Sequence, residues 1–163
     1  MLKLRRPSRS ADSVARRSGR CRARSSRPYP PEVSIHHLQL WVPELERAER
    51  SWGWLLTELG YEPGRTWDHG RVWRQGATAI VIEASPDMVD GMLHSRLRPG
   101  MNHVAFHVDG TDALAQLVAV ASDHGWTQLA SDGDRHPLPT ATTVAYLEDA
   151  DGFEVELIVA DAP

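Results

Sequence analysis

The chain has 163 residues, 41% of them hydrophobic, which is enough for one well-buried domain or for two small halves that share a core. No run approaches the roughly 20 consecutive apolar residues of a membrane helix, and the N-terminus lacks the apolar run of a secretory signal. We therefore expect a cytoplasmic protein with no membrane partner. The single cysteine, Cys21, excludes a disulfide framework and a multi-cysteine zinc module, so metal ligands would have to be His, Asp or Glu.

The first 34 residues differ in charge from the rest of the chain. They contain ten Lys or Arg residues against Asp12 and Glu32 and carry +8, whereas the remainder carries −12. This segment has too few large apolar residues to offset its ordering entropy, so we predict disorder for 1–34. It is interpreted as the product of a start codon placed too far upstream, as a basic arm or as a transit peptide, and we favour the first. The acidic body has no basic face, which argues against a nucleic-acid partner.

From residue 35 the hydrophobic pattern predicts a folded domain over 35–161, built from two copies of one unit. In the first copy a strand alternates over 35–42, and a helix with apolar residues at helical spacing ends at Gly60. Shorter strands are predicted near 65–67, 71–75 and 78–84. The turn-rich residues that follow predict a connecting loop.

The second copy repeats this order. A strand is predicted over 103–109, then a helix through Leu114 and Leu117 that stops at Gly125. Strands follow near 126–129, 142–147 and 153–159. The order β-α-β-β-β therefore occurs twice, in module 1 (about 35–85) and module 2 (about 102–160), which indicates duplication of one supersecondary unit.

Polar residues stand at corresponding points of the two copies. His37 and His103 begin the first strands, and Glu83 and Glu156 lie among the apolar residues of the last strands. A buried carboxylate is costly unless it is paired or bound to a cation. A strand histidine alone is more often a packed or solvated group, but four matched positions favour a site for a divalent first-row metal: Ni, Zn, Fe, Mn or Co.

The sequence also resembles a known family. The stretches "HHLQLWVPELERAERSWGWLLTELGY", "NHVAFHV" and "YLEDADGFEVEL" are similar to the vicinal oxygen chelate superfamily, which includes glyoxalase I, bleomycin resistance proteins, fosfomycin resistance enzymes and extradiol dioxygenases. The match covers about 35–160, and its most specific piece is the closing Asp-Gly-x-x-x-Glu-Leu, with Asp151, Gly152, Glu156 and Leu157. The resemblance implies an α+β fold of two paired βαβββ modules that form a curled, mostly antiparallel sheet around a metal cup.

The resemblance further implies that His37, Glu83, His103 and Glu156 occupy the four metal-ligand positions of glyoxalase I. Enzymes of this type chelate substrate oxygens and stabilise an enediolate or related oxyanion. By this analogy the chain is a metal-dependent lyase or isomerase acting on a small-molecule substrate, and Glu156 is the base that removes a proton next to a carbonyl.

Other residues are candidates for the wall of the cup. Strand alternation allows Gln39, His107, Tyr146 and Glu154 to face it, although packing or solvent exposure is the favoured role for each of them. Glyoxalase I holds glutathione with an arginine and an asparagine where this sequence has Trp41 and Asp87, so we expect a substrate other than a glutathione adduct. The loop 131–142, with Arg135 and His136, could close over the site.

Two alternatives stay open at this point. One is a non-haem Fe(II) ring-cleaving dioxygenase, which uses two His and one carboxylate; Glu83 as a fourth ligand weighs against it. The other is a non-catalytic antibiotic resistance protein that binds a small molecule without a metal. A homodimer is also open, because paired modules can close within one chain or exchange between two.

Overall fold

The computed structural model describes residues 35–130, without 90 and 92, and residues 141–160. All of them belong to the second of the two units into which the chain divides, Ser34–Pro163. The predicted tail, 1–34, and most of the loop with Arg135 and His136 lie outside the described residues. Among the described residues, neither helix is both long and apolar enough to cross a membrane.

Module 1 has the predicted order of elements. They are β1 (His37–Trp41), α1 (Leu45–Glu58), β2 (Glu62–Trp67), β3 (Gly70–Gln75) and β4 (Thr78–Glu83). The Glu44 carboxylate accepts hydrogen bonds from the backbone N–H groups of Glu46 and Arg47, so it caps the amide groups that open α1. Gly60 follows the helix, as its position in the sequence predicted.

Module 2 repeats the order, so the duplicated βαβββ arrangement is confirmed. Its elements are β5 (Val104–His107), α2 (Thr111–Val120), a 3₁₀ turn (Ala121–His124), β6 (Trp126–Leu129), β7 (Ala141–Asp149) and β8 (Glu154–Ala160). The predicted helix up to Gly125 thus ends in a tighter final turn. Gly60 and Gly125 are each followed by a buried aromatic residue, Tyr61 and Trp126.

The strands form two sheets of four. Their orders are β1-β4-β3-β2 and β5-β8-β7-β6. In each sheet the first and last strands of the module pair in parallel, and the other pairs are antiparallel. The α+β class is confirmed. Within the described sheets, β1 and β5 are edge strands. β1 begins at His37, and β5 begins one residue after His103.

One core joins the two modules. Leu40 of β1, Phe106 of β5 and the valines that follow these strands, Val42 and Val108, are buried in a single apolar cluster. Aromatic pairs cross between the modules in this cluster: Trp52 of α1 meets Trp126 edge-on at 5.2 Å, and Tyr61 meets Phe106 at 6.1 Å. The modules therefore pack through the helix-bearing sides of their sheets.

Candidate metal centre and its half-sites

The odd-numbered residues of β1 and β5 lie on the faces opposite the shared core. His37, Gln39 and Trp41 are not buried, and neither are Ala105 and His107. Successive side chains of a strand point to opposite faces of the sheet. The even-numbered side chains pack in the core shared with the other module, so the odd-numbered ones point away from it. Each module thus presents its candidate ligands on an outer face of its own, and each face carries one half of the predicted site.

The half-site of module 2 is assembled around a buried carboxylate. Glu156 is only 2% exposed, and its Oε1 accepts a 2.7 Å hydrogen bond from the Tyr146 hydroxyl. Its Oε2 lies 3.1 Å from Nε2 of His103. The pairing follows from register, since Tyr146 and Ala105 stand opposite Glu156 on the two neighbouring strands. The structure therefore brings together three predicted site residues: His103, Tyr146 and Glu156.

Both histidines are oriented in the same way. Nδ1 of His103 lies 2.7 Å from Oδ1 of Asn102, and Nδ1 of His37 lies 2.9 Å from Nδ1 of His36. In each module the preceding residue thus engages Nδ1, which leaves Nε2 as the atom that a metal or a carboxylate can meet. Outer hydrogen bonds of this kind fix the ring orientation of metal-binding histidines. Sequence reasoning missed the roles of His36 and Asn102, although both stand at the same place in the repeat.

The register of module 1 separates Glu83 from His37. Gln39 pairs with Val81 across the parallel strands, whereas Ala105, its counterpart in module 2, pairs with Glu156. Val81 therefore stands at the position that corresponds to Glu156, and Glu83 lies two residues further along. The match between Glu83 and Glu156 that their spacing suggested is not the match that the strand register makes.

This displacement distinguishes Glu83 from Glu156. Glu83 pairs with Trp41, four residues beyond His37, which is about 13 Å along a strand at about 3.3 Å per residue. The Glu83 carboxylate accepts a hydrogen bond from the Gln39 amide. The strand register therefore places Glu83 opposite Trp41, and Val81 opposite Gln39.

The half-sites also stay apart within one chain. Across residues 35–130 and 141–160, apart from 90 and 92, no three His, Cys, Asp or Glu side chains converge as a group that could hold a metal. All four predicted ligands are among the residues described. The described part of one chain therefore does not gather the four predicted ligands into a single group.

The remaining candidates for the wall lie in different places. Gln39 and Trp41 line a cavity of about 440 Å³ between β1 and the connecting segment, where they face residues such as Arg98 and Phe153. His107 lines a separate and larger cavity beside α2. Arg135 lies outside the described residues. Gln39 and Trp41 thus share a cavity whose lining does not include the four predicted ligands, and His107 lines another cavity.

A second buried carboxylate lies beside Glu156. Glu154 is 1% exposed and points to the same face of β8, and Arg96 of the connecting segment binds its Oε2 at 2.8 Å. The arginine compensates a charge that would otherwise be costly to bury. Sequence reasoning named Glu154 but not Arg96, because nothing in a turn-rich segment shows which strand it crosses.

The Asp-Gly turn between β7 and β8 joins the modules. Asp149 accepts hydrogen bonds from the Trp52 indole at 2.8 Å and from the backbone N–H groups of Asp151 and Phe153 at 2.9 Å. Asp151 forms an ion pair with Arg47 of α1. The turn is the most specific stretch of the sequence motif, and its carboxylates hold module 1 against module 2.

Burial raises the pKa of Asp149 above its ordinary value of 3.8, while the hydrogen bond from Trp52 opposes the shift. The folded chain then holds this proton more tightly than the unfolded chain, so the carboxyl's contribution to stability falls as pH rises from about 3.8 to the raised pKa. We expect its NMR titration midpoint above 3.8, and a higher midpoint in Trp52→Phe. Trp54→Phe is the control because Trp54 stacks on His124 instead. A midpoint that Trp52→Phe lowers would contradict the assignment.

Comparison with known proteins identifies relatives over most of the described chain. Residues 36–146 match the model of the Glyoxalase/Bleomycin resistance protein/Dioxygenase superfamily. The uncharacterized protein YqjT of Bacillus subtilis (strain 168) is 34% identical over 127 residues, which are 76% of this chain and 97% of that protein.

Solved structures have the same fold. A glyoxalase candidate from Bacillus halodurans is 30% identical, with a TM-score of 0.68, and the match covers 78% of this chain and 96% of that one. A mutant of the fosfomycin resistance protein FosX of Listeria monocytogenes, solved with Mn(II) and 1S,2S-dihydroxypropylphosphonic acid, is 15% identical, with a TM-score of 0.55 over 78% and 90% of the two chains. The repeated βαβββ topology and these matches together show that the chain belongs to the Glyoxalase/Bleomycin resistance protein/Dioxygenase superfamily.

Proposed function

We propose that this chain is a divalent-metal-dependent enzyme that chelates the oxygens of a small substrate and removes a proton next to a carbonyl, as a lyase or isomerase does. The observation that carries the proposal is the buried cluster of His103, Tyr146 and Glu156. Glu156 is only 2% exposed, and burying a carboxylate costs free energy. Buried ionisable groups held by specific partners are concentrated at functional sites, so this cluster supports a catalytic role.

The ligand set that fits best is His37, His103 and Glu156. Two imidazole nitrogens and one carboxylate suit Ni, Zn, Fe, Mn or Co and leave coordination positions for substrate. When bound, the ion supplies Lewis acidity at the substrate oxygens. Glu83, which the sequence offered as a fourth ligand, is proposed instead to hold the Gln39 amide in place beside His37.

Glu156 is proposed as the proton acceptor. The Tyr146 hydroxyl donates to Oε1, so it fixes one carboxylate oxygen while Oε2 stays directed towards His103. A base must lie within hydrogen-bond reach of the proton that it removes, and a buried, oriented carboxylate meets that requirement at one defined point. Trp41, in the position where glyoxalase I has an arginine, favours a substrate other than a glutathione adduct.

We propose that two copies of the chain complete each centre. His37 and Glu156 lie on outer faces of different modules, and the opposite faces of both sheets are used by the shared core. A twofold dimer in which module 1 of one copy faces module 2 of the other would bring the two half-sites together twice. The strands that would meet, β1 and β5, are the edge strands that carry the histidines.

A ring-cleaving dioxygenase is the second candidate, and the register of β4 favours it. Two histidines and one carboxylate are the ligand set of non-haem Fe(II) oxygenases. Without Glu83 among the ligands, the objection that a fourth ligand would occupy an oxygen or substrate position no longer applies. Oxygen uptake with a catechol by Fe(II)-loaded protein would support this reaction, whereas a lyase or isomerase would consume no oxygen.

Metal analysis of the purified protein tests the ligand set. We expect about one first-row metal ion per chain, and a loss of at least tenfold in occupancy in His37→Ala, His103→Ala and Glu156→Gln. Glu83→Gln is the matched control because it makes the same substitution at a glutamate in the last strand of module 1. We expect its metal occupancy to stay within about twofold of that of the unsubstituted chain. Full metal loss in Glu83→Gln would reinstate the four-ligand set. Metal-free protein that binds an aromatic drug tightly would contradict the enzyme.

A further inference from the structure

A large cavity lies away from both half-sites. It is an open groove of about 1170 Å³ between the second half of α1 and the outer side of α2. Its apolar lining comes from both helices and from the ends of two strands. These residues are Trp54, Leu59, Val108, Leu117, Val120 and Val159. The volume is sufficient for a drug-sized molecule.

The charged residues of this groove have one sign. Glu58 and Asp109 are exposed at its edge, and no lysine or arginine is among the described residues that line it. The other polar residues are His107, Gln75 and Gln116. The part of the chain after residue 34 carries −12 in total, so the surrounding field has the same sign.

An aromatic wall completes the groove. Trp54 is half-buried and stacks in parallel on His124 at 4.3 Å, so the His124 ring supports the indole from one side. A supported tryptophan ring attracts cations placed over its face, and the attraction is stronger where water is excluded. Apolar walls, an aromatic face and two carboxylates suit a molecule with a hydrophobic body and a delocalised positive charge.

We propose that the groove between α1 and α2 binds lipophilic organic cations. The apolar walls would take the hydrophobic body, Trp54 would face the charge, and Glu58 and Asp109 would select against anions. The site shares no residue with His37, His103 or Glu156, so binding there does not depend on a metal.

A pair of probes of nearly equal shape and opposite charge tests the proposal: tetraphenylphosphonium and tetraphenylborate. By calorimetry on the full chain, we expect the cation to bind at least tenfold more tightly than the anion. Neutralising the edge with Glu58→Gln and Asp109→Asn together should reduce that ratio to below about threefold. Glu62→Gln removes an exposed carboxylate outside the groove and should leave the ratio unchanged.

The location of the site is tested separately. Trp54→Leu should weaken binding of the cation at least fivefold, whereas Trp67→Leu, outside the groove, should leave it unchanged. Glu156→Gln, which abolishes the proposed metal centre, should also leave it unchanged, so failure of the two proposals can be distinguished. Equal affinity for the two probes, or cation binding that Trp54→Leu does not alter, would overturn the proposal.

Discussion

Mixing His37→Ala and Glu156→Ala chains is expected to restore metal binding that neither variant shows alone. In the proposed dimer each centre takes His37 from one copy and Glu156 from the other. A mixed dimer therefore has one centre with both defects and one with none. With random exchange, half of the dimers are mixed, so occupancy should rise from near zero to about a quarter of the original value.

The control for this experiment is a mixture of His103→Ala and Glu156→Ala chains. Both changes lie in module 2, so every centre of the mixed dimer carries one defect and no recovery is expected. The measurement is metal content after co-expression and removal of loosely held ions. If the centre formed within one chain, the first mixture would stay as empty as the second.

Gly152→Ala is expected to destabilise the chain by about 2–5 kcal/mol. Gly152 has φ +85°, in the left-handed region, where an L-residue costs about 1–2 kcal/mol. A Cβ placed there would also overlap the His94 carbonyl oxygen, so the connecting segment would have to move. His94 stacks on Phe153 at 4.5 Å, and forcing atoms into such a packed contact adds about 1–3 kcal/mol.

Gly76→Ala separates the two contributions. Gly76 also has positive φ, +57°, but nothing lies within 4 Å of the point that an alanine Cβ would occupy, so we expect only the backbone cost of about 1–2 kcal/mol. Urea unfolding of both variants measures the difference. Equal losses would show that the approach of His94 to Gly152 contributes nothing to stability.

The elements could be predicted because their periodicity is local. Alternation in β1 and β5, helical spacing in α1 and the glycines that end the helices each act within a few residues. The match between His37 and His103 is also local, since both stand at the start of the first strand of a repeat. The same reasoning identified Tyr146 and Glu156, which the antiparallel register then placed side by side.

The position of Glu83 could not be predicted in this way. The two histidines are 66 residues apart, whereas Val81 and Glu156, which hold equivalent positions in the sheets, are 75 apart. The second copy thus has nine additional residues between its first and last strands, and only the strand pairing shows where that difference falls. A shift of two residues keeps a side chain on the same face, so alternation alone cannot detect it.

The packing of the two modules against each other could not be predicted from the hydrophobic alternation either. Alternation shows that Leu40 and Phe106 face inward, but not that they share one core. The pairing of Arg96 with Glu154 likewise joins residues from separate segments whose proximity depends on that packing. The sequence therefore indicated the parts of each half-site, and the three-dimensional arrangement decides which parts can meet.

The hydrogen bond from Trp52 to Asp149 links the two modules, so it bears on how the protein unfolds. Since the two repeats bury their apolar sides against each other, neither has a separate interior, and we expect one cooperative loss of structure. A fragment ending after β4 would leave the Trp52 ring in water with its indole N–H deprived of the Asp149 carboxylate. A single repeat therefore needs a second apolar surface to cover that side of its sheet.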